Sequence, residues 1–327
     1  MTTMKDVAAK AGVGLGTVSR VINNSGSVKE STRIKVMNAV KALDYQPNEA
    51  ARNFKMQKSL SVALIVPTVW HPFYSAFSYY VERELFKNKF KTIICNSRNE
   101  VDREIEYIDM LKKNKIDGII AITYSEAIDQ YVTSHLPMVS IDRHFTEDVL
   151  TITSDHFQGG CLAASELIRH GCKTIGYIGS VSKIKNESML RKKGFIEYVE
   201  KQGITYSVKE INEPVLDIQR EILSFIENTP HLDGLFCMND KWAEKAIVAC
   251  ELLGKKIPED IQIIGFDGAK TNEQAEIKHS TIVQPIQTLA QLAVKKLIQI
   301  IEGEPVEEKV IVPVTFFEGD TTKKVDE

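Results

Sequence analysis

Apolar side chains recur along this chain at two different periods. Over the first 45 residues they fall three and four positions apart, the spacing of one face of an α-helix. Val7, Ala8 and Ala11 mark the inner face of a first helix, and Val13, Val18 and Val21 that of a second. Gly12 lies between them, where a tight turn calls for φ > 0, which glycine adopts without steric cost. Residues 33–43 carry a third apolar face, and Tyr45-Gln46-Pro47 closes it, because a residue before proline is pushed out of the α region. Asn48 is then placed to cap a short helix over 49–57. That piece falls below the ~12–15 residues an isolated helix needs in water, so it forms only with a partner.

From Ser61 the apolar residues gather into short unbroken runs. SVALIVP, KTIICNS, DGIIAIT, MVSID, TIGYIGS, DGLFCMN, IQIIGFD and a final VIVPVTFFEG read as strands. Amphipathic stretches such as 76–87, 103–113, 160–170, 189–202 and 241–253 separate them. Continuous apolar strands alternating with helices predict buried parallel sheets. About nine strands in one file, with a break near 155–160, predict two doubly wound lobes rather than one sheet.

The chain of 327 residues suits two or three domains, and 43 % hydrophobic content supports a sizeable core. A net charge of −3 argues against nucleic acid only until it is divided along the chain. Residues 1–58 hold ten Lys/Arg against four Asp/Glu, a charge of +6, which leaves −9 for the remainder. A cationic head on an anionic body turns the head toward phosphate. The five cysteines (Cys95, Cys161, Cys172, Cys237, Cys250) form no C-x-x-C pair and are expected to be small buried hydrophobes in a reducing cytosol. No apolar signal segment and no run of ~18 apolar residues occurs, which points to a cytoplasmic protein.

Leu15, Gly16, Thr17, Ser19 and Arg20 stay outward on the second helix: small groups, hydroxyls and one fork-shaped cation. A face of that kind fits a DNA major groove. Thr3 can cap the first helix, with Asp6 in its first turn. Gly12-Val13-Gly14-Leu15-Gly16 has the look of a dinucleotide loop, but it follows a helix, and Thr17 stands where the last glycine belongs. No nucleophile elbow and no metal-spaced His/Cys cluster occurs, so catalysis, a cofactor and a metal are not expected.

The motifs KDVAAKAGV, TVSRVIN, YQPNEAAR, HPFYSAF, DGIIAI, SDHFQGG, MLRKKGF, MNDKWA, IIGFDGA and VQPI together resemble the lactose-repressor (LacI/GalR) family of transcriptional regulators, over essentially the whole chain. The resemblance implies an α/β protein with a helix-turn-helix head (1–46), a hinge helix (47–59) and a two-lobed core (60–320) like that of periplasmic sugar-binding proteins. One lobe would comprise 60–157 and 286–312, the other 158–285 and 313–320, with a disordered tail over 321–327. It implies DNA contacts from Thr3, Met4, Leu15, Gly16, Thr17, Ser19 and Arg20, with Asn23, Thr32, Tyr45 and Asn48 near phosphates. Arg20 would pair with a guanine edge, worth about 1–3 kcal/mol of discrimination. Ala51 would let two hinge helices pack across a dimer axis, and Phe54 would wedge into the minor groove where relatives carry leucine. Gly14 replaces a commoner serine at the start of the recognition helix.

In the inter-lobe cleft, the resemblance implies ligand contacts from Phe73, Arg191, Asn239 and Asp267, then from His71, Arg143, Glu187, Trp242 and Gln284. Residues 212–215 lack the stacking aromatic of many sugar-responsive members, a role left to Phe157 or Trp242. Lys185 and Glu187 stand where purine-responsive relatives carry arginine and threonine, and a carboxylate there favours a neutral, hydroxyl-rich ligand. The expected effector is a sugar, ribose- or sucrose-like, and the expected assembly a homodimer on a pseudo-palindromic operator. Control by a phosphocarrier protein or a purine corepressor, or a role as a transport-type sugar-binding protein, are the competing readings.

Overall fold

The computed structural model describes residues 2–46, 58–113, 115–133 and 136–324. It divides into two compact units, 1–59 and 60–327. The expected contacts Asn48, Ala51 and Phe54, with the rest of the hinge over 47–57, lie outside the described residues.

The first unit holds α1 (Met4–Ala11), α2 (Leu15–Ile22) and α3 (Glu30–Ala42). Thr3 and Asp6 form a reciprocal cap on α1: the Thr3 amide donates to Asp6 Oδ2 at 2.8 Å, and the Asp6 amide donates to Thr3 Oγ1 at 3.4 Å. Gly12 ends α1 at φ 65°, ψ 35°, the left-handed conformation expected of the turn. Val7, Ala8, Val18, Val21, Val36, Ala39 and Tyr45 make the core of this unit. The third helix begins at Glu30, three residues before its apolar pattern does.

The second unit is built from two six-stranded sheets. In the first, β1 (Ser61–Val66), β2 (Lys91–Asn96), β3 (Gly118–Ala121), β4 (Met138–Ile141), β5 (Leu150–Ser154) and β11 (Lys309–Val312) lie in the order 11-5-4-3-1-2, all parallel. In the second, β6 (Thr174–Val181), β7 (Thr205–Asn212), β8 (Gly234–Cys237), β9 (Gln262–Asp267), β10 (Ser280–Val283) and β12 (Thr315–Phe317) lie in the order 12-10-9-8-6-7, and only β12 is antiparallel. Helices cover both faces of each sheet. Phe77 and Leu85 of α4 (Pro72–Lys87) pack with Leu289 and Leu297 of α10 (Ile286–Ile301) on one face of the first sheet. Ile108 and Leu111 of α5 (Val101–Lys112) cover the other. The second sheet lies between α8 (Ile218–Asn228) with α9 (Asp240–Leu252) and α6 (His156–Arg169) with α7 (Leu190–Gln202).

The chain passes between the sheets three times: between β5 and α6, between β10 and α10, and between β11 and β12. The final run VIVPVTFFEG is therefore two strands, one in each sheet. Twelve strands form among the described residues, against about nine expected. The additions are β5 and β10, whose Thr and Ser are buried despite their hydroxyls, and β7, an edge strand with alternating exposure.

The tail needs a correction. Thr321 and Thr322 are buried rather than disordered: Thr321 Oγ1 donates to the Ile263 carbonyl at 2.6 Å, and the Lys323 amide donates to Gln262 Oε1 at 2.8 Å. These bonds supply partners for polar groups of the second sheet that would otherwise be buried alone. No described helix is long and apolar enough to cross a membrane.

Candidate functional site

In the first unit, α2 turns Val18 and Val21 inward and leaves Leu15, Gly16 and Arg20 exposed, with Thr17 and Ser19 half-buried. Arg20 folds back along its own helix, its Nε donating to the Gly16 carbonyl at 3.2 Å. To pair with a base it must give up one exposed hydrogen bond, a small cost. Asn23 bonds Ser19 Oγ at 3.2 Å, and Gly14 supplies no side-chain cap, so the first-turn amides of α2 keep no side-chain partner. Thr3 and Asn23 are exposed and Thr32 half-buried, while Met4 packs partly against the core. Tyr45 also packs: the residue is 8 % exposed, in the core with Val7, Val36 and Ala39.

In the second unit a cleft of about 750 Å³ opens at the C-terminal ends of the strands of both sheets. Each sheet reverses its strand order beside its first strand, and ligands of doubly wound sheets sit at that point. His71, Phe73, Arg191, Asn239, Trp242, Asp267 and Gln284 all line it. Phe73 and Trp242 are 5 % and 3 % exposed, so only an edge of each reaches the cleft. Asn239 caps α9, its Oδ1 accepting from the Trp242 amide at 3.1 Å, which leaves its side-chain NH2 for other partners.

Arg191 is placed by glycine. A Cβ on Gly160 would lie 1.9 Å from the Arg191 carbonyl, and one on Gly194 2.0 Å from that of Phe157. Helices α6 and α7 therefore cross with their backbones touching, and Arg191 is held over the sheet. Its guanidinium lies 3.7 Å from the centre of the Phe266 ring, Nη1 donates to the Met238 carbonyl at 2.6 Å, and Nη2 is 3.5 Å from Asp267 Oδ1. Its Nε donates to His156 Nδ1 at 3.1 Å, so the ring proton of neutral His156 must sit on Nε2, which donates to Asp142 Oδ1 at 2.9 Å. Gln284 closes the network, donating to Asp267 Oδ1 at 2.7 Å and accepting from Ser154 Oγ at 2.8 Å.

The charges follow from that wiring. Burial lowers His156 and keeps it neutral, and burial also raises Asp142, but His156, Thr153 and Arg191 outweigh it and hold Asp142 below the usual range. Burial pushes the Asp267 carboxyl up to about 7, against the pull of Arg191. Burial, with Lys241 and Arg191 nearby, lowers His71 to about 4, and its Nδ1 has no partner. The cleft floor thus offers a neutral imidazole, a fixed guanidinium, the carboxyls of Asp142 and Asp267, of unequal strength, and the amides of Asn239 and Gln284 against aromatic edges, with Lys183, Glu210, Glu213 and Lys241 also in the lining. That mixture suits vicinal hydroxyls on a ring with an apolar face.

Two expected ligand residues lie elsewhere. Arg143 is turned behind the cleft, where Nη1 donates to Thr123 Oγ1 at 3.0 Å and to the Ser125 carbonyl at 2.7 Å. Glu187 accepts from His144 Nε2 at 2.6 Å and from Lys309 Nζ at 3.0 Å, also outside the lining. With Glu187 out of the cleft, its carboxylate no longer argues against an anionic ligand. Phe157 and Lys185 are not lining residues either, and Trp242 is the aromatic that is. Sequence reasoning passed over Tyr74, Tyr124, Asn186, Glu210 and Lys241, while the 212–215 segment it set at the cleft does line it through Glu213, Pro214 and Val215. Tyr124 follows Thr123, already read as a strand end, whereas Glu210 comes with the unread strand β7.

Residues 3–48 match the family described as bacterial regulatory proteins, lacI family, and residues 164–322 match a periplasmic binding protein-like domain. The chain is 35 % identical to the sucrose operon repressor of Streptococcus mutans, over 97 % of this chain and 98 % of that one. It is 33 % identical to the ribose operon repressor of Bacillus subtilis over the full length of both. Among solved structures, the Lac repressor dimer bound to operator and an anti-inducer superposes with a TM-score of 0.86 at 23 % identity, covering 98 % of this chain and 99 % of that one, a likeness of fold.

Proposed function

The chain belongs to the lacI family of bacterial regulatory proteins, DNA-binding transcriptional regulators rather than enzymes, and from that premise we propose that it is a cytoplasmic repressor of a carbohydrate operon, released from its operator by a sugar. The cleft carries this reading: Arg191, Asp267, Asn239 and Gln284 converge with Phe73 and Trp242 at the strand ends of both sheets. The sugars named for the relatives, sucrose and ribose, are the first candidates for effector.

In this reading two subunits present two heads to a pseudo-palindrome, with Leu15, Gly16 and Arg20 at base edges and Thr3, Thr17, Ser19, Asn23 and Thr32 at or near phosphates. Effector in the cleft changes the relation of the lobes, and the effect on DNA affinity is about 1–3 kcal/mol and reciprocal. The test has two stages. A palindrome is selected from random duplex with the full-length protein, and the protein is then screened for thermal shift against sugars, sugar phosphates and purines. A sugar that raises Tm and lowers affinity for the selected palindrome is the expected result. Selection of no palindrome, or a response to purines alone, overturns the proposal.

A further inference from the structure

Glu187 lies between cleft residues yet faces away from the cleft. Asn186, Ser188 and Met189 line the pocket, while the Glu187 carboxylate points out of it and is 9 % exposed as a residue. The Glu187 carbonyl accepts from the Leu190 amide within its own lobe, but its amide and its carboxylate both bond across to the other lobe. Its amide donates to the Asp142 carbonyl at 2.8 Å, and Oε1 accepts from His144 Nε2 at 2.6 Å and Lys309 Nζ at 3.0 Å. Asp142 and His144 follow β4, and Lys309 opens β11, all in the first sheet's lobe; Glu187 belongs to the β6–α7 connection of the second. One residue thus makes three bonds between lobes on the side where the chain crosses. Near a hinge, a small change of separation becomes a large one at the open mouth.

We propose that Glu187 is a positioning residue that fixes the angle between the lobes, holding the 186–189 wall of the cleft at the distance from Asp142 at which the effector is gripped. It does this without touching the effector, and the part that concerns affinity rests on the reading of the cleft as an effector site. The contact is specific to charge as well as shape. The Glu187 carboxylate has two cationic or proton-donating partners, and Glu187→Gln keeps the volume and the amide bond to Asp142 while removing the charge.

Hydrogen exchange of the full-length protein, read by peptide, tests the tether without any ligand. In Glu187→Gln, exchange is expected to rise at 140–145 and 309–312, segments of the opposite lobe, with the melting temperature of the core little changed. The charge-swapped pair Glu187→Lys/Lys309→Glu is expected to restore protection, which a purely steric role would not do. Titration with sucrose and D-ribose is expected to show affinity about tenfold weaker in Glu187→Gln and recovered in the swapped pair. Unchanged exchange across the opposite lobe in Glu187→Gln, or a swapped pair as unprotected as the single variant, overturns the proposal. Altered exchange with neither sugar binding the wild-type protein would leave the tether standing and count against the sugar reading alone.

Discussion

Glu104 offers a test of the electrostatics behind the cleft. It sits on α5 with 0 % exposure, its carboxylate near Ser97, Ser125 and Arg143. Burial pushes its pKa from 4.5 to about 7, and Ser97, Arg143 and Ser125 only partly oppose it. A group that binds its proton more tightly folded than unfolded stabilises the fold below the unfolded pKa, and that stability is lost as pH rises through the folded value. The difference between 4.5 and about 7, at 1.36 kcal/mol per unit, is about 3 kcal/mol at pH 8 and about 1 kcal/mol at pH 5.5. Glu104→Gln has the shape of the protonated acid and never ionises. It should therefore be more stable than wild type by up to about 3 kcal/mol at pH 8, the margin shrinking by about 2 kcal/mol at pH 5.5. Urea unfolding followed by tryptophan fluorescence reads this cleanly, because both tryptophans, Trp70 and Trp242, lie in the second unit. Other titrating groups cancel in the difference between the two proteins. A margin that is the same at both pH values, or a variant less stable at pH 8, refutes the reasoning.

Gly194→Ala should drive α6 and α7 apart, since its Cβ would meet the Phe157 carbonyl at 2.0 Å; we expect a loss of about 1–3 kcal/mol, seen as a lower Tm, together with weaker effector binding as Arg191 moves. Effector affinity should rise with pH through about 7, because the ionised Asp267 accepts from hydroxyls more strongly than its acid form and with both oxygens; Asp267→Asn should bind weakly with a flat profile by calorimetry. Arg20→Lys should relax preference at one operator base pair by about 1–3 kcal/mol in competition binding while leaving the salt dependence of affinity intact, because the charge remains.

The head was legible in the sequence because its constraints are local. Val7, Ala8, Val18 and Val21 sit at helical spacing, and Gly12 marks the turn to the residue. The packing of Tyr45 was not legible, because aromatic burial depends on what α3 brings alongside, and no periodicity states that. Parallel sheets announced themselves through unbroken apolar runs, while β5, β7 and β10 did not, their Thr, Ser, Lys and Glu being satisfied by partners distant in sequence. The same cause explains Arg143 and Glu187. Both lie within a residue or two of true lining positions, Asp142 in one case and Asn186 and Ser188 in the other. Which way a side chain turns there is decided by Thr123, Ser125, His144 and Lys309, and spacing along the chain cannot supply that.

What sets the cleft apart physically is where the fold accepts cost. Asp142 and Asp267 both hold positive φ, at 59° and 120°, although neither is glycine, and each such residue costs about 1–3 kcal/mol. Both are buried, and Asp267 keeps its carboxyl beside Asp240 and Asp142, which raise it further. Glu104, like Asp267, is a carboxyl that burial pushes up, whereas the partners of Asp142 hold it down. The cost at Asp142 and Asp267 cannot be shed one residue at a time, since an apolar side chain there would leave His156, Arg191 and Gln284 without a buried partner. The apolar layers of the two sheets carry the fold and tolerate the expense. Costs of this kind, gathered at the ends of β4 and β9, lie where the cleft opens and where binding rather than folding has shaped the residues.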